Sequence, residues 1–328
     1  MTYYINNKEH FNYAYNKDLA IQTVGLSKRF GKITALDSLN LEVEPHSIYG
    51  FLGPNGSGKT TAIRLMLGLS RPSKGTAYIH GFSCTRRQAE SRQIIGYLPD
   101  VPNFFGYMSG LDYLVLCGKL FGLDYKDALN RAWPLLELAG VKEAAHRKAN
   151  GYSRGMKQRL GLAAAMMGNP KVLFLDEPVS AMDPLGRADV LDIIKGIKEK
   201  ATVFLSTHIL SDVERVSDKV GIIDHGRLIT SASIQELKMQ FSQNCITVNT
   251  LEEPTPLVAL IKTQEWCSDV IAKQNEHGIP ELVIYLKDPV AARDNLPKLI
   301  IQQNFTIINY ITTLPSLEDI FIKLAGAK

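Results

Sequence analysis

The octapeptide Gly53-Pro54-Asn55-Gly56-Ser57-Gly58-Lys59-Thr60 constrains this chain more than any other stretch. It fits the pattern G-x-x-x-x-G-K-[ST] without substitution. The apolar run Ser47 to Leu52 precedes it, and Thr61 to Leu67 continues it with helical character. Strand, loop and helix in that order are the context a phosphate-binding loop needs. Its glycines let the backbone curl until several N–H groups point inward, and the positive end of the helix dipole adds to them. Lys59 then lies against the outer phosphates, the Thr60 hydroxyl can ligate Mg2+, and Thr61 completes the cofactor-binding set. The bland alternative is a Gly-rich turn with a chance lysine, which the full pattern in this context disfavours. The chain is expected to bind a nucleoside triphosphate.

A second constraint lies downstream. Val172-Leu173-Phe174-Leu175-Asp176-Glu177-Pro178 is an unbroken apolar run ending in two acids. Such a run suits a parallel strand buried on both faces, whose C-terminal end is where α/β sheets carry chemistry. Acids there are costly unless they serve a cation or a proton. Beside a phosphate loop, Asp176 is the natural Mg2+ partner and Glu177 a candidate base for an attacking water. The alternative reading is two surface acids in a turn. Thr202 to Ser206 forms another apolar strand ending at Thr207-His208, so His208 is a candidate for touching the γ-phosphate. Ser153 is positioned to cap a helix running through Leu160 to Met167.

The 328 residues allow two or three domains, and 45% hydrophobic with 21% charged residues is ordinary for a globular protein. A net charge of +4 is compatible with a membrane-facing or nucleic-acid-facing surface and diagnostic of neither. No nucleic-acid partner is expected. Cys84, Cys117, Cys245 and Cys267 lack metal-ligand spacing and read as reduced packing thiols. Residues 1–20 read as a polar extension without a signal peptide or anchor. The longest uncharged stretch, Leu299 to Leu317, is broken by Gln302, Gln303, Asn304, Asn309 and Pro315, so no membrane span is expected. At a membrane, another chain would have to cross the bilayer.

Strands are expected over Ile21 to Leu26, Ile33 to Leu36, Leu39 to Val43, Thr76 to His80 and Ile94 to Pro99, with helices over Leu111 to Phe121 and Tyr125 to Ala139. Pro134 inside the second helix could kink it. The aromatics Phe104, Phe105 and Tyr107 are read equally as a partner contact or as core packing. Val190, Ile193, Ile194 and Ile197 give an amphipathic helix over Arg187 to Glu199. From about Ser242 the pattern becomes β-α-β-β-α-β. It has strands over Asn244 to Thr250, Val270 to Gln274, Leu282 to Lys287 and Thr306 to Thr312. The two middle strands join through His277-Gly278. Helices follow Pro254 and span Pro289 to Gln303, with a last one from Leu317 to Ala325.

Together these motifs resemble the ATP-binding cassette of ABC transporters over Ile21 to Leu237. Gly53 to Thr60 looks like its Walker A loop, Val172 to Asp176 its Walker B strand, and Tyr152 to Met156 its signature. Ser180-Ala181-Met182-Asp183 resembles the D-loop, His208 the switch histidine, and Phe30 the aromatic that stacks on adenine. Read alone, Phe30 could equally pack in the core. The resemblance implies an α/β fold: a P-loop NTPase core, N-terminal antiparallel strands and an inserted helical subdomain (21–240), followed by a small C-terminal α+β domain (241–328). It implies ATP and Mg2+ as cofactors, with Thr60, Asp100 and Asp176 toward the metal. It implies two cassettes packed head to tail, with Ser153, Arg154, Gly155 and Met156 facing the nucleotide of the partner. Glu177 would polarise water, His208 hold the γ-phosphate and Asp183 join the two sites.

Two positions depart from the family. The signature usually reads Ser-Gly-Gly-Gln and here reads Ser153-Arg154-Gly155-Met156. Asp100 stands where glutamine is usual, and it is expected to keep the metal role while altering coupling to the partner. The ending Pro315 to Phe321 resembles cassette subunits of ABC-2-type exporters such as drug-resistance ATPases. The leading expectation is an exporter ATPase, peripheral at the cytoplasmic face of the membrane. Its expected partners are a separately encoded permease and a second, identical or related, cassette. The alternative is a non-transport cassette with soluble partners, such as the iron–sulphur assembly type. A nucleotide-dependent scaffold without hydrolysis is disfavoured by Glu177. Chromosome-maintenance members insert long coiled coils, and no sustained heptads separate Lys59 from Ser153.

Overall fold

The computed structural model describes residue 16 and residues 18–180, 182–237, 245–275 and 278–312. Most of the expected polar extension, Ala181, the His277 turn residue, the Pro315 to Phe321 ending and the Leu317 to Ala325 helix lie outside the described residues. Chain contacts divide the molecule into two units, Met1–Ser231 and Ala232–Lys328.

The first unit is built on two sheets. The strands β1 (Ile21–Phe30), β2 (Ile33–Val43), β4 (Lys74–Ile79) and β5 (Phe82–Ser83) form an antiparallel sheet in the order β2-β1-β4-β5. Two expected short strands at Ile33 and Leu39 are in fact one, β2. Asp37 and Ser38 interrupt the apolar alternation, yet pairing with β1 continues past them through irregular register, with Ser38 at φ 51°. Long-range pairing overrides the local break.

The second sheet holds β3 (Ile48–Leu52), β6 (Ile95–Leu98), β7 (Val172–Asp176), β8 (Thr202–Thr207), β9 (Lys219–Asp224) and β10 (Arg227–Ser233), in the order β10-β9-β3-β8-β7-β6. From β9 to β6 every neighbouring pair is parallel. Every residue of β3, β7 and β8 is buried. Alternate residues serve opposite layers. Val172, Phe174 and Phe204 join α1 (Lys59–Met66) and the antiparallel sheet in one core. Leu173, Leu175, Val203 and Leu205 face the other side, with α5 (Arg154–Met166) and α6 (Pro184–Ile197). The Phe204 ring lies 5.6, 5.3 and 5.5 Å from those of Tyr49, Phe51 and Phe174.

Two more helices, α3 (Gly110–Leu120) and α4 (Tyr125–Leu138), pack on α5 as a helical subdomain with its own core around Leu114, Leu136 and Leu160. Ser109 and Asp112 close a reciprocal capping box on α3. The helix α4 runs on through Pro134. Phe104 packs edge-on against Tyr113, whereas Phe105 and Tyr107 are exposed, so the core-packing reading holds for Phe104 alone of the three. Short helices α2 (Gln88–Gln93) and α7 (Leu210–Val216) complete the unit.

The second unit holds β11 (Cys245–Thr250), α8 (Thr255–Lys262), β12 (Cys267–Gln274), β13 (Pro280–Leu286), α9 (Pro289–Gln302) and β14 (Ile307–Thr312). All pairs are antiparallel, in the order β12-β13-β11-β14, which is the split βαβ arrangement. Leu257, Ile261, Leu296 and Ile300 bring both helices onto one core with the strands. None of the four cysteines forms a disulfide, and burial pushes the thiol of Cys84 up to about 12 and those of Cys117 and Cys267 up to about 11, which suits packing rather than nucleophilic roles. No helix among the described residues is long and apolar enough to cross a membrane.

The ring cluster around Phe204 carries a stability prediction. Phe204→Ala is expected to cost about 3–5 kcal/mol of stability by the scale of buried aromatic truncations. Ile33→Ala, at a side chain 71% exposed, is expected to change it by less than about 0.5 kcal/mol. Denaturant titration of both variants checks the contrast.

Candidate active site

Three buried parallel strands end at one edge, and each releases its chain into a polar loop there. The strand β3 ends at Leu52 and opens into Gly53. Gly56 and Gly58 turn the loop at φ 80° and 109°, the left-handed region that glycine adopts freely. A Cβ on Gly58 would come within 2.6 Å of the Ala35 carbonyl oxygen, and one on Gly53 within 2.3 Å of that of Ile223. No larger residue fits either position. Gly58 is the N-cap of α1, so Lys59, Thr60 and Thr61 occupy its first turn. Pro54, Asn55, Gly56 and Thr60 are exposed, and Ser57 is buried.

Lys59 is only 6% exposed and folds back over its own loop, donating to the carbonyls of Gly53 at 2.7 Å and Pro54 at 3.1 Å. Its Nζ also lies 3.6 Å from Glu177 Oε1. Burial lowers the Lys59 ammonium below its usual range, and the Glu177 and Asp176 carboxylates oppose that shift.

The strand β7 delivers Asp176 and Glu177. Asp176 is buried, and its Oδ1 accepts the Ser206 hydroxyl at 2.5 Å. Among the described residues no basic side chain lies within ion-pair distance of Asp176. A buried carboxylate so placed, with Thr60 exposed in the first turn of α1, suits a hard cation that prefers oxygen. Among the described residues no cluster of three His, Cys, Asp or Glu could hold a metal.

Glu177 has φ 49°, the left-handed region, unusual for a residue with a side chain. Its backbone N–H still reaches the Ser206 carbonyl at 3.0 Å. Glu177 Oε2 lies 2.9 Å from Nδ1 of His208, the residue that follows β8. The carboxylate therefore sits between Lys59 and His208, 13% exposed, while His208 is 41% exposed.

Asp100, just after β6, accepts the Ser180 hydroxyl at 3.0 Å. Ser180 lies in the turn that Glu177 begins, with its N–H on the Glu177 carbonyl at 3.3 Å. Asp183 is the N-cap of α6, and Pro184 fills the first helical position. Ser153 caps α5 by accepting the Met156 N–H at 3.2 Å, so Arg154, Gly155 and Met156 form the first turn of α5. Phe30 ends β1 with its ring 55% exposed, not packed in the core, and the Lys28 ammonium lies 5.0 Å from the ring centre.

The structure thus brings Lys59, Glu177 and His208 into one bonded group and joins Asp100 to the turn after Glu177. It gives no bond from Phe30, Asp183 or the 153–156 turn to that group among the described residues. Sequence reading missed Ser206 as a partner of Asp176, although a hydroxyl inside an apolar strand run is a signal, and it placed Ser180 in the D-loop resemblance without its bond to Asp100.

Glu177→Gln is expected to retain ATP binding and lower turnover by about 100- to 10,000-fold, the usual contribution of a general base. Gly58→Ala is expected to abolish nucleotide binding while the rest of the unit stays folded. Titration with a fluorescent ATP analogue and a phosphate-release assay separate the two effects.

Residues 36–180 match the ABC transporter family, and residues 233–325 match the C-terminal domain of DrrA1-3-like ATP-binding proteins. The chain is 36% identical to the uncharacterised ABC transporter ATP-binding protein YxlF of Bacillus subtilis (strain 168), over 92% of this chain and 98% of that protein. It is 32% identical to the bacitracin transport ATP-binding protein BcrA of Bacillus licheniformis, over 93% and 97%. A solved ATP-binding subunit of an ABC transporter aligns with TM-score 0.62 at 27% identity, over 68% of this chain and 93% of that one.

Proposed function

This chain belongs to the ATP-binding cassette family of transporter ATPases and binds and hydrolyses ATP, and we propose that it does so as the motor subunit of an ABC-2-type exporter. The observation that carries the hydrolytic reading is the contact of Glu177 with both Lys59 and His208 at the mouth of the phosphate loop. Support for export comes from the DrrA1-3-like C-terminal domain and from a relative named for bacitracin transport. These favour transport over the alternative of a cassette with soluble partners.

The residues imply a sequence of contacts. The N–H groups of residues 55–61 and the dipole of α1 hold the phosphates, and the Lys59 ammonium exchanges the Gly53 and Pro54 carbonyls for phosphate oxygens. That exchange draws Lys59 from Glu177 and leaves its carboxylate to accept a proton from water, with His208 orienting the γ-phosphate. Thr60, Asp176 and Asp100 would hold Mg2+, which neutralises charge on the β- and γ-phosphates when bound. The Phe30 ring offers its exposed face to adenine. Ser153, Arg154, Gly155 and Met156 face the nucleotide of a second cassette, and Asp183 joins the two sites. In this assignment the cassette spans 21–240, an accessory domain spans 241–328, and the permease is a separate chain that holds the protein at the membrane.

Two experiments test this reading. With ATP, Glu177→Gln is expected to elute as a dimer in light-scattering chromatography, and adding Ser153→Arg is expected to keep it monomeric. A monomer in both cases would remove the head-to-tail assignment. Asp100→Ala is expected to shift the Mg2+ dependence of turnover or its stimulation by the partner; if both stay unchanged, Asp100 has neither role.

A further inference from the structure

Arginines cross-brace the helices that follow three separate motifs of the site. Arg159 on α5 donates to the Gly186 carbonyl at 3.3 Å and to Asp189 at 3.1 Å, both on α6. Arg187 on α6 donates through Nε to Asp212 Oδ1 on α7 at 2.6 Å and through Nη2 to the Ser211 hydroxyl at 3.3 Å. Arg215 on α7 returns to both oxygens of Asp192 on α6, at 3.0 Å each.

One of these pairs differs from the others. The Asp189 and Asp192 side chains are 67% and 63% exposed, where ion pairs contribute little to stability. The Asp212 side chain is 2% exposed, and its Oδ2 has no hydrogen-bond partner among the described residues. Withdrawing that carboxylate from water costs more than an apolar replacement would, so stability alone does not account for it. What a planar guanidinium on a buried carboxylate does supply is a fixed distance and angle between two helices.

The two helices are those that begin at the site. Arg187 lies one turn beyond Asp183, whose carbonyl accepts its N–H at 2.9 Å. Asp212 lies four residues beyond His208. Burial raises the Asp212 carboxyl above its usual range, Arg187 opposes the shift, and the charges of Glu177 and His208 are also felt there. The pair is therefore electrostatically within reach of the catalytic group while touching none of it.

We propose that Arg187 and Asp212 are a positioning pair that sets His208 and Asp183 relative to each other, so that ATP turnover depends on the pair and ATP binding does not. This rests on the reading of His208 as a γ-phosphate contact. Neither residue is a catalytic residue, since neither touches the reacting atoms.

The test compares the full-length chain with Arg187→Met/Asp212→Leu, Arg187→Lys, Arg215→Met and His208→Ala, measuring Tm, ATP affinity and kcat. The apolar double variant is chosen because it leaves no unpaired buried charge. It is expected to hold Tm within about 4 °C. ATP affinity should change by less than about twofold while kcat falls by about tenfold or more. Arg187→Lys is expected to recover part of kcat, and Arg215→Met to change none of the three. A double variant with unchanged kcat, beside a His208→Ala variant that has lost turnover, would overturn the pair's role while leaving the His208 reading intact. Equal loss of kcat in Arg215→Met would also overturn it, since bracing in general would then suffice. Full turnover in His208→Ala would instead overturn the underlying reading of the site, and the proposal with it.

Discussion

A parallel sheet buried on both faces can satisfy its strands internally but not what lies just beyond them. β3, β7 and β8 are buried at every residue, so their apolar side chains are consumed by the two layers above and below. Polar groups can then gather only where the strands end. In this molecule Gly53, Glu177 and His208 leave adjacent strand ends, and their proximity follows from the order β3-β8-β7. The phosphate loop, the acid and the histidine form one group because the sheet beneath them leaves no other place for them.

That group holds opposing tendencies in balance. Lys59 is buried and loses hydration, and it recovers interactions from two carbonyls of its own loop and from Glu177. Glu177 adopts a left-handed backbone, a conformation held only where surrounding structure over-determines it. The hydrogen bond from its N–H to the Ser206 carbonyl, and from the Ser206 hydroxyl to Asp176, ties that turn to the adjacent strand. A ligand offering phosphate oxygens to Lys59 would therefore alter the surroundings of Glu177 directly.

The parts of this arrangement that were legible in the sequence are those carried by contiguous residues. The phosphate loop, the apolar runs ending at Glu177 and His208, the Ser153 cap and the β-α-β-β-α-β order of the second unit all rest on local spacing. What was not legible joins distant residues. Ser180 and Asp100 are 80 positions apart, and Arg187 and Asp212 are 25 apart. Only the strand order brings such residues together. The division of β2 into two expected strands failed for the same reason, since pairing with β1 spans Asp37 and Ser38 where local alternation stops. Phe30, read both as an aromatic exposed beside a turn and as core packing, is left open at the hairpin tip.

We propose that this ATPase drives a separate membrane chain. Capture from gently solubilised native membranes, using tagged Glu177→Gln protein with ATP to hold the closed state, puts this to the test. Recovery of a chain with several hydrophobic spans is expected, and less of it when ATP is omitted. Recovery of soluble partners alone, with none of the protein in the membrane fraction, would contradict it.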